Sequence, residues 1–323
     1  MKIPTKGVPL LAQTLSLSED PERILVRPRL VNHLADVVAT SQVVLLPGPP
    51  GIGRSTALHQ WISSSGRPWL SAEDRPDDEV VAAAHEKGSK GLVVIGVWMA
   101  RDNAPALIER LVSIHERIRV VVRGGPDFLR ETAILTDILG EAPASVNPDV
   151  FHLTRSEIGR LADQRNVKVT DRDVAEIHRT TGGYGAVLTM VLDQAASPER
   201  SAAMSWTDAS GTAFTELVAH VGVERMLTPT QLALADVLSI ADQLPLDAAV
   251  ELAHTLGRRG TLRELQAFRL LGRDARGDEV GILPGFRQAI EGGAWREAAA
   301  RRPPGSFAGK QLVSGIMAGA VKG

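Results

Sequence analysis

One short segment of the sequence has the residue types and the spacing needed to bind phosphate. It runs Gly48-Pro-Pro-Gly-Ile-Gly-Arg-Ser-Thr56 and matches the pattern G-x-x-x-x-G-K-[ST] at every position except the lysine, where Arg54 stands. In such a loop, glycines let backbone N–H groups turn toward phosphate oxygens, and the dipole of the following helix adds to the attraction. The segment therefore predicts phosphate-loop (P-loop) ancestry.

The exchange of lysine for arginine leaves open whether the loop binds a nucleotide. Arg54 keeps the positive charge, but its planar guanidinium is larger than a lysine ammonium and is aimed differently. Ser55 stands at the position that binds Mg²⁺ when a nucleotide is present. A tight turn between a strand and a helix, without any ligand, is the alternative interpretation.

The acidic residue that a P-loop enzyme needs after a later strand is missing. That carboxylate holds Mg²⁺ and polarises water. The predicted strand at residues 92–95 is followed by Gly96 and Val97, and Asp102 fits a turn or a helix cap better. Arg123 follows another predicted strand, where it either senses phosphate or lies solvated in a glycine-rich turn.

No other set of residues predicts catalysis. The histidines are dispersed without metal-ligand spacing, and no Ser-His-Asp arrangement can be argued. The chain contains no cysteine, which excludes disulfides, thiolate zinc sites and cysteine nucleophiles. We therefore predict no catalytic residue and favour a protein that is not an enzyme.

The elements around the loop predict an α/β fold. The apolar run at residues 43–46 is typical of a strand buried on both faces, and a helical pattern follows the loop. Further apolar runs predict strands near 69–70, 91–99 and 118–122, separated by helical patterns. Strands that alternate with helices of this length indicate a parallel sheet.

The pattern changes after residue 150. Thr154, Thr170 and Thr228 are helix-capping residues. Residues 197–211 resemble a polar linker, and three helices followed by a hairpin predict a winged helix. The fold class is thus a P-loop NTPase-like parallel sheet followed by a small helical domain and a winged-helix domain. The predicted domains are residues 1–150, 151–205 and 206–303, with a tail at 304–323.

Composition fits a globular protein outside the membrane. The 323 residues are 44% hydrophobic and carry a formal net charge of -2, which argues against a protein that coats nucleic acid. No apolar run approaches the roughly 20 residues of a membrane-spanning helix, and no signal peptide is recognised. We expect a cytoplasmic protein. Residues 254–310 hold 11 Lys and Arg against 6 Asp and Glu, so a local basic face remains.

The order of several segments resembles one family. These are the segment Leu25–Leu30, the P-loop, the strand without its acidic pair, the strand before Arg123, and the stretch FHLTRSEIGRLA…TTGGYGAVLTMVL. Together with VGILPGFRQAI they resemble the N-terminal part of LuxR-type transcription regulators of the MalT-like class. That class belongs to the STAND branch of AAA+-related P-loop ATPases. The resemblance covers roughly residues 20–300.

In that family, ATP or ADP is clamped by the P-loop, helical and winged-helix domains and sets an off or on state. The resemblance implies ATP or ADP as cofactor, Mg²⁺ only together with nucleotide, and DNA as partner through a C-terminal domain absent from this chain. Self-association is left open. It places Arg29 and Leu30 near the base and Arg123 as the sensor. The residues placed on the phosphates are Gly48, Gly51, Gly53, Arg54, Ser55 and Thr56.

Three departures from the family pattern indicate that hydrolysis has been lost. Arg54 replaces the lysine, Gly96 and Val97 replace the paired acids, and Leu283 replaces a histidine of the winged helix. The leading hypothesis is a regulatory region with a degenerate nucleotide site. One alternative is an active ATPase that uses Arg54 and Asp102. The other is DNA binding by the winged helix itself, through Arg258, Arg259, Arg263 and Arg269.

Overall fold

The computed structural model describes residues 24–72, 75–97, 104–196, 205–256, 260–273 and 278–291. The chain divides into two units, Met1–Phe151 and His152–Gly323. Several features named above lie outside the described residues, namely Asp102, Arg258, Arg259 and the tail at 304–323. The predicted domain boundaries within the second unit stay predictions.

The N-terminal unit is built on five parallel strands in the order β2-β3-β4-β1-β5. This parallel sheet confirms the predicted α/β class. All four residues of β1 are buried, as its unbroken apolar run predicts for a strand covered on both faces. The strands are β1 (Val43–Leu46), β2 (Trp69–Ser71), β3 (Val93–Val97), β4 (Arg119–Arg123) and β5 (Ala144–Ser145).

Five helices accompany the sheet in the described part of this unit. Side chains of α3, α4 and α5 share one core with β1, β3 and β4, whereas α1 packs against α2 and β1. Helix α5 was missed by the sequence analysis, although Gly140 ends it in the left-handed conformation that favours glycine. The helices are α1 (Pro28–Thr40), α2 (Arg54–Ser65), α3 (Asp77–Lys87), α4 (Ala104–Ile114) and α5 (Phe128–Leu139).

The register of the sheet brings three strand ends together. Arg123, the last residue of β4, pairs with Leu46 of β1 on one side and with Val97 of β3 on the other. Because the strands are parallel, the loops that leave these strands start at the same edge of the sheet. The glycine-rich loop after β1 and the Gly-Gly segment after β4 are therefore neighbours.

The C-terminal unit is mainly helical and contains an antiparallel sheet in the order β6-β8-β7. Its strands are β6 (Leu244–Pro245), β7 (Leu271–Arg273) and β8 (Glu279–Ile282). Its described helices are α6 (Arg155–Gln164), α7 (Asp171–Thr181), α8 (Gly185–Ala196), α9 (Trp206–Val221), α10 (Val223–Met226), α11 (Pro229–Leu238), α12 (Leu246–Thr255), α13 (Thr261–Ala267) and α14 (Pro284–Glu291).

The capping residues recognised in the sequence form the expected hydrogen bonds. Thr154 accepts from the backbone N–H of Glu157, whose carboxylate accepts in return from the N–H of Thr154. Thr228 forms the same reciprocal pair with Gln231, whose amide also donates to the buried Glu264 at 2.8 Å. These boxes satisfy N–H groups that the helix cannot pair internally, and they fix where α6 and α11 begin.

The linker predicted over residues 197–211 is wrong from residue 205 onward. Ser205 caps α9 and accepts from the N–H of Asp208, and the helix packs against α7, α8 and α14. Its first turns contain Ser210 and Gly211, which are weak helix formers, so composition favours a loop. Both residues are buried, because small side chains allow α14 to approach closely.

A row of aromatic rings forms the centre of the C-terminal unit. Tyr184 lies edge-on to His152 and to Phe214, with ring centroids 5.9 and 5.5 Å apart, and Phe214 contacts Phe286 at 5.5 Å. All four rings are buried, and such pairs add to the free energy of apolar burial.

Among the described helices, none combines the length and the hydropathy that crossing a bilayer requires.

Replacement of Asp173 by Asn tests the electrostatics of the α7 cap. Hydrogen bonds from Thr170, and then from the indole of Trp206, hold the pKa of Asp173 below its ordinary value. The ionised carboxylate therefore stabilises the fold above the unfolded-state pKa of about 3.9, and this contribution is lost as the pH falls through the folded-state pKa. We expect Asp173→Asn to lower the free energy of unfolding at pH 7 and to have a smaller effect near pH 3.

Urea unfolding at the two pH values measures this difference. Asp171→Asn is the matched control, since it removes the same charge from the same helical turn and leaves the capping box intact. An effect of Asp173→Asn that is equal at both pH values would contradict the proposed role of the carboxylate.

Candidate functional site: a phosphate loop held by arginines

The glycine-rich segment forms a tight loop between β1 and α2. Gly48, Gly51 and Gly53 have φ angles of 122°, 89° and 103°, in the left-handed region that glycine adopts without strain. Between them the side chain of Ile52 is fully buried and anchors the loop. Gly53 precedes the first turn of α2, whose N–H groups find no acceptor within the helix and face the loop. This backbone is suited to surround an anion.

Arg54 turns back toward the sheet. Its Nη1 donates to the carbonyl of Leu46 at 2.9 Å and to the carbonyl of Gly124. The first carbonyl ends β1, and the second follows β4 directly. The guanidinium thus joins the ends of the two central strands, and its charge stays beside the loop.

Arg123 donates a hydrogen bond to the hydroxyl group that was predicted to bind Mg²⁺. Its Nη1 donates to Oγ of Ser55 at 2.5 Å, and only 6% of the residue is exposed. Thr56, the next residue, is half-buried on the first turn of α2. The structure therefore brings Arg123 and the P-loop together, 68 residues apart in sequence.

Glu131 is a buried carboxylate of the site that the sequence analysis missed. The N–H of Gly125 donates to both of its oxygens, at 2.8 and 3.0 Å. A Cβ added to Gly124 would lie 2.3 Å from Oε2, so glycine is required there for the carboxylate to approach. Glu131 is one of several acids of α5 and its neighbourhood, and its spacing gives no signal that distinguishes it.

Arg27 is a second residue that the sequence analysis missed. It is 5% exposed, its Nη1 donates to the carbonyl of Phe151 at 2.7 Å, and a Cβ on Gly53 would lie 3.7 Å from that nitrogen. Of the residues predicted near the base, Arg29 is exposed and reaches the carbonyl of Val150 at 3.4 Å, whereas Leu30 is buried in α1. Of Arg27 and Arg29, it is thus Arg27 whose guanidinium lies beside the loop.

The charges around the loop favour an anion. Arginine stays protonated in proteins, so Arg27, Arg54 and Arg123 bring three positive charges to a site that also holds the carboxylate of Glu131. Charges that are partly removed from water interact more strongly than exposed ones. A phosphate group at the loop would meet both oriented backbone N–H groups and this excess positive charge.

Magnesium does not fit this arrangement. Mg²⁺ binds oxygen at about 2.1 Å, so an ion on Oγ of Ser55 would lie within about 5 Å of Nη1 of Arg123. At an effective dielectric constant of about 20, that repulsion amounts to about 7 kcal/mol. The residues at the end of β3, Gly96 and Val97, bring no carboxylate to offset it. Within the described ranges, no three His, Asp or Glu side chains cluster to hold a metal ion.

Two of the four arginines predicted to bind DNA, Arg263 and Arg269, lie among the described residues. Arg263 is exposed on α13, and Arg269 is half-buried just after that helix, with Nη1 3.4 Å from Nε2 of His178. Leu283, at the position where the resembling family often has a histidine, is buried against Gly182. A DNA-binding role of these arginines stays a prediction.

The comparison with solved structures supports a fold like that of P-loop NTPases. The chain is similar to the Walker-type ATPase PABY2304 of Pyrococcus abyssi, with 11% identity, a TM-score of 0.53, and coverage of 84% of this chain and 97% of that one. A weaker similarity is to ORC2 of Aeropyrum pernix, with 14% identity, a TM-score of 0.43, and coverage of 92% and 97%. No protein-family model and no curated protein matches the sequence. The resemblance to LuxR-type regulators stays a prediction.

Replacement of Glu131 by Ala tests the support of the site. The change leaves the buried N–H of Gly125 without this acceptor, which costs about 2 kcal/mol of the free energy of unfolding. Glu109→Ala removes the same charge from the exposed face of α4 and is expected to stay within about 0.5 kcal/mol of wild type. Urea unfolding followed by tryptophan fluorescence compares the two variants. Equal stabilities would show that the carboxylate does not hold the Gly124-Gly125 segment.

Proposed function

We propose that this chain is the regulatory, signal-switch region of a LuxR-type, MalT-like transcription regulator, and that its P-loop binds ATP or ADP without hydrolysing it. The observation that carries the proposal is the donation from Arg123 to the hydroxyl of Ser55 within a loop of otherwise P-loop geometry. Such a site keeps the groups that attract phosphate. At the end of β3, Gly96 and Val97 stand where the resembling family has paired acids, and the hydroxyl of Ser55 already accepts from Arg123, so these ligands of Mg²⁺ are replaced.

The C-terminal unit supports the same proposal. Helices α11, α12 and α13 followed by the hairpin β7–β8 have the order of elements of a winged helix, and we propose that residues 229–291 adopt that fold. In the resembling family this part contacts bound nucleotide and transmits its state. DNA would then be bound through a further domain, in the cytoplasm, and self-association would belong to the switch.

Nucleotide binding without turnover is the expected result of two measurements. Calorimetric titration should give a binding isotherm with ADP and with ATP, and Arg54→Ala/Ser55→Ala should weaken it at least tenfold, because the double variant removes a cation and a hydroxyl beside the phosphates. ATP hydrolysis by the wild type should not exceed that of the double variant. Turnover above that background would establish the active ATPase instead. No heat at millimolar nucleotide would leave the fold a scaffold for protein contacts.

DNA binding by the winged helix is the second candidate function, favoured by the exposure of Arg263 on α13 and by the local excess of basic residues. Under our proposal, the double variant Arg258→Ala/Arg263→Ala binds duplex DNA as weakly as the wild type. Fluorescence anisotropy at 50 and 200 mM salt measures it. Wild-type affinity that falls steeply with salt and is lost in the double variant would favour direct DNA binding.

A further inference from the structure

We propose that Arg123 takes the place of the divalent cation, so that this loop binds the phosphates of a nucleotide equally well with and without Mg²⁺. The inference rests on the proposed function and specifies the chemistry of the same site. It names a role for Arg123 different from that of a sensor, since the guanidinium itself becomes the counter-charge of the ligand.

The position of Arg123 is fixed from both sides. Its backbone lies in β4, paired with Leu46 of β1 and Val97 of β3, and its side chain is held on Oγ of Ser55. Burial of 94% of the residue leaves the guanidinium little freedom to leave the site, because the charge would have to find other partners in the interior. A metal ion that needs the same hydroxyl must displace this group.

A second guanidinium adds to the charge of Arg123. Nη1 of Arg54 donates to the carbonyls of Leu46 and Gly124, at the same strand ends from which Arg123 reaches Ser55. Two guanidinium groups are thus held beside a loop with three left-handed glycines. Guanidinium groups donate several hydrogen bonds in one plane and match phosphate oxygens well, so the pair supplies charge and geometry that a P-loop otherwise obtains from lysine and Mg²⁺.

The carboxylates near the loop fit this assignment. The described carboxylate held at the Gly124-Gly125 segment, Glu131, accepts from the backbone N–H of Gly125. Its oxygens are therefore engaged in holding the backbone. A metal site at Ser55 would need acidic or water ligands to complete six oxygen contacts, whereas a guanidinium needs none.

Titration with ADP tests the proposal, with inorganic pyrophosphate as a second probe. We expect the affinity of the wild-type chain to agree within about twofold in EDTA and in about 5 mM MgCl₂. Arg123→Ala should bind ADP at least tenfold more weakly in EDTA, and Mg²⁺ should restore part of that loss, because the hydroxyl of Ser55 becomes free. Arg123→Lys should keep most of the metal-independent binding.

Arg117→Ala is the matched control, since it removes one positive charge from an exposed residue that donates to the carbonyl of Ser89. It should bind ADP as the wild type does. Circular dichroism and thermal unfolding identify any variant that does not fold. If Arg123→Ala does not fold, the ADP affinities of Arg123→Lys and the wild type are compared instead. Binding by the wild type that requires Mg²⁺ would overturn this inference and leave nucleotide binding intact. Absence of ADP binding in both buffers would overturn both.

Discussion

The carboxyl ends of β1 and β4 are held together by backbone hydrogen bonds and by the guanidinium of Arg54, and the geometry of the site depends on these contacts. The N–H of Gly124 donates to the carbonyl of Leu46 at 3.0 Å, and the N–H of Gly48 donates to the carbonyl of Gly125 at 3.3 Å. In addition, Nη1 of Arg54 donates to the carbonyls of Leu46 and Gly124, so its charge lies where the loop after β1 meets the segment after β4. A lysine ammonium offers no such planar set of donors. Arginine in place of lysine therefore changes both the position of the charge and the geometry of its donors.

From these contacts the other contacts of the site follow. With the two strand ends held together, Arg123 reaches Ser55, and the N–H of Gly125 reaches Glu131. The loop keeps its left-handed glycines and hence its oriented N–H groups. Under the proposed function, the site separates two properties that usually occur together in a P-loop. The backbone and the arginines would attract phosphate, whereas the ligands for metal-assisted hydrolysis would be replaced.

The sequence predicts the local features well and the distant contacts poorly. The buried strand β1, the glycine loop and the capping boxes at Thr154 and Thr170 depend on neighbouring residues, so patterns of a few residues reveal them. The contacts of Arg123 with Ser55 span 68 residues, and no local pattern encodes them. Helix α9 was missed because Ser210 and Gly211 have low helical propensity. Their small size instead serves the close packing of this helix against its neighbours.

The burial of so much positive charge bears on how such a site can act as a switch. Arg27 and Arg123 are each at least 94% buried, and taking a charge out of water has a free-energy cost that an incoming anion reduces. A ligand that binds only the folded state stabilises it by RT ln(1 + [L]/Kd), so phosphate binding would stabilise this edge of the sheet in particular. Stability and occupancy are then linked through the same arginines. Under the proposed function, this linkage would let nucleotide occupancy set the state of the protein without a chemical step on the ligand.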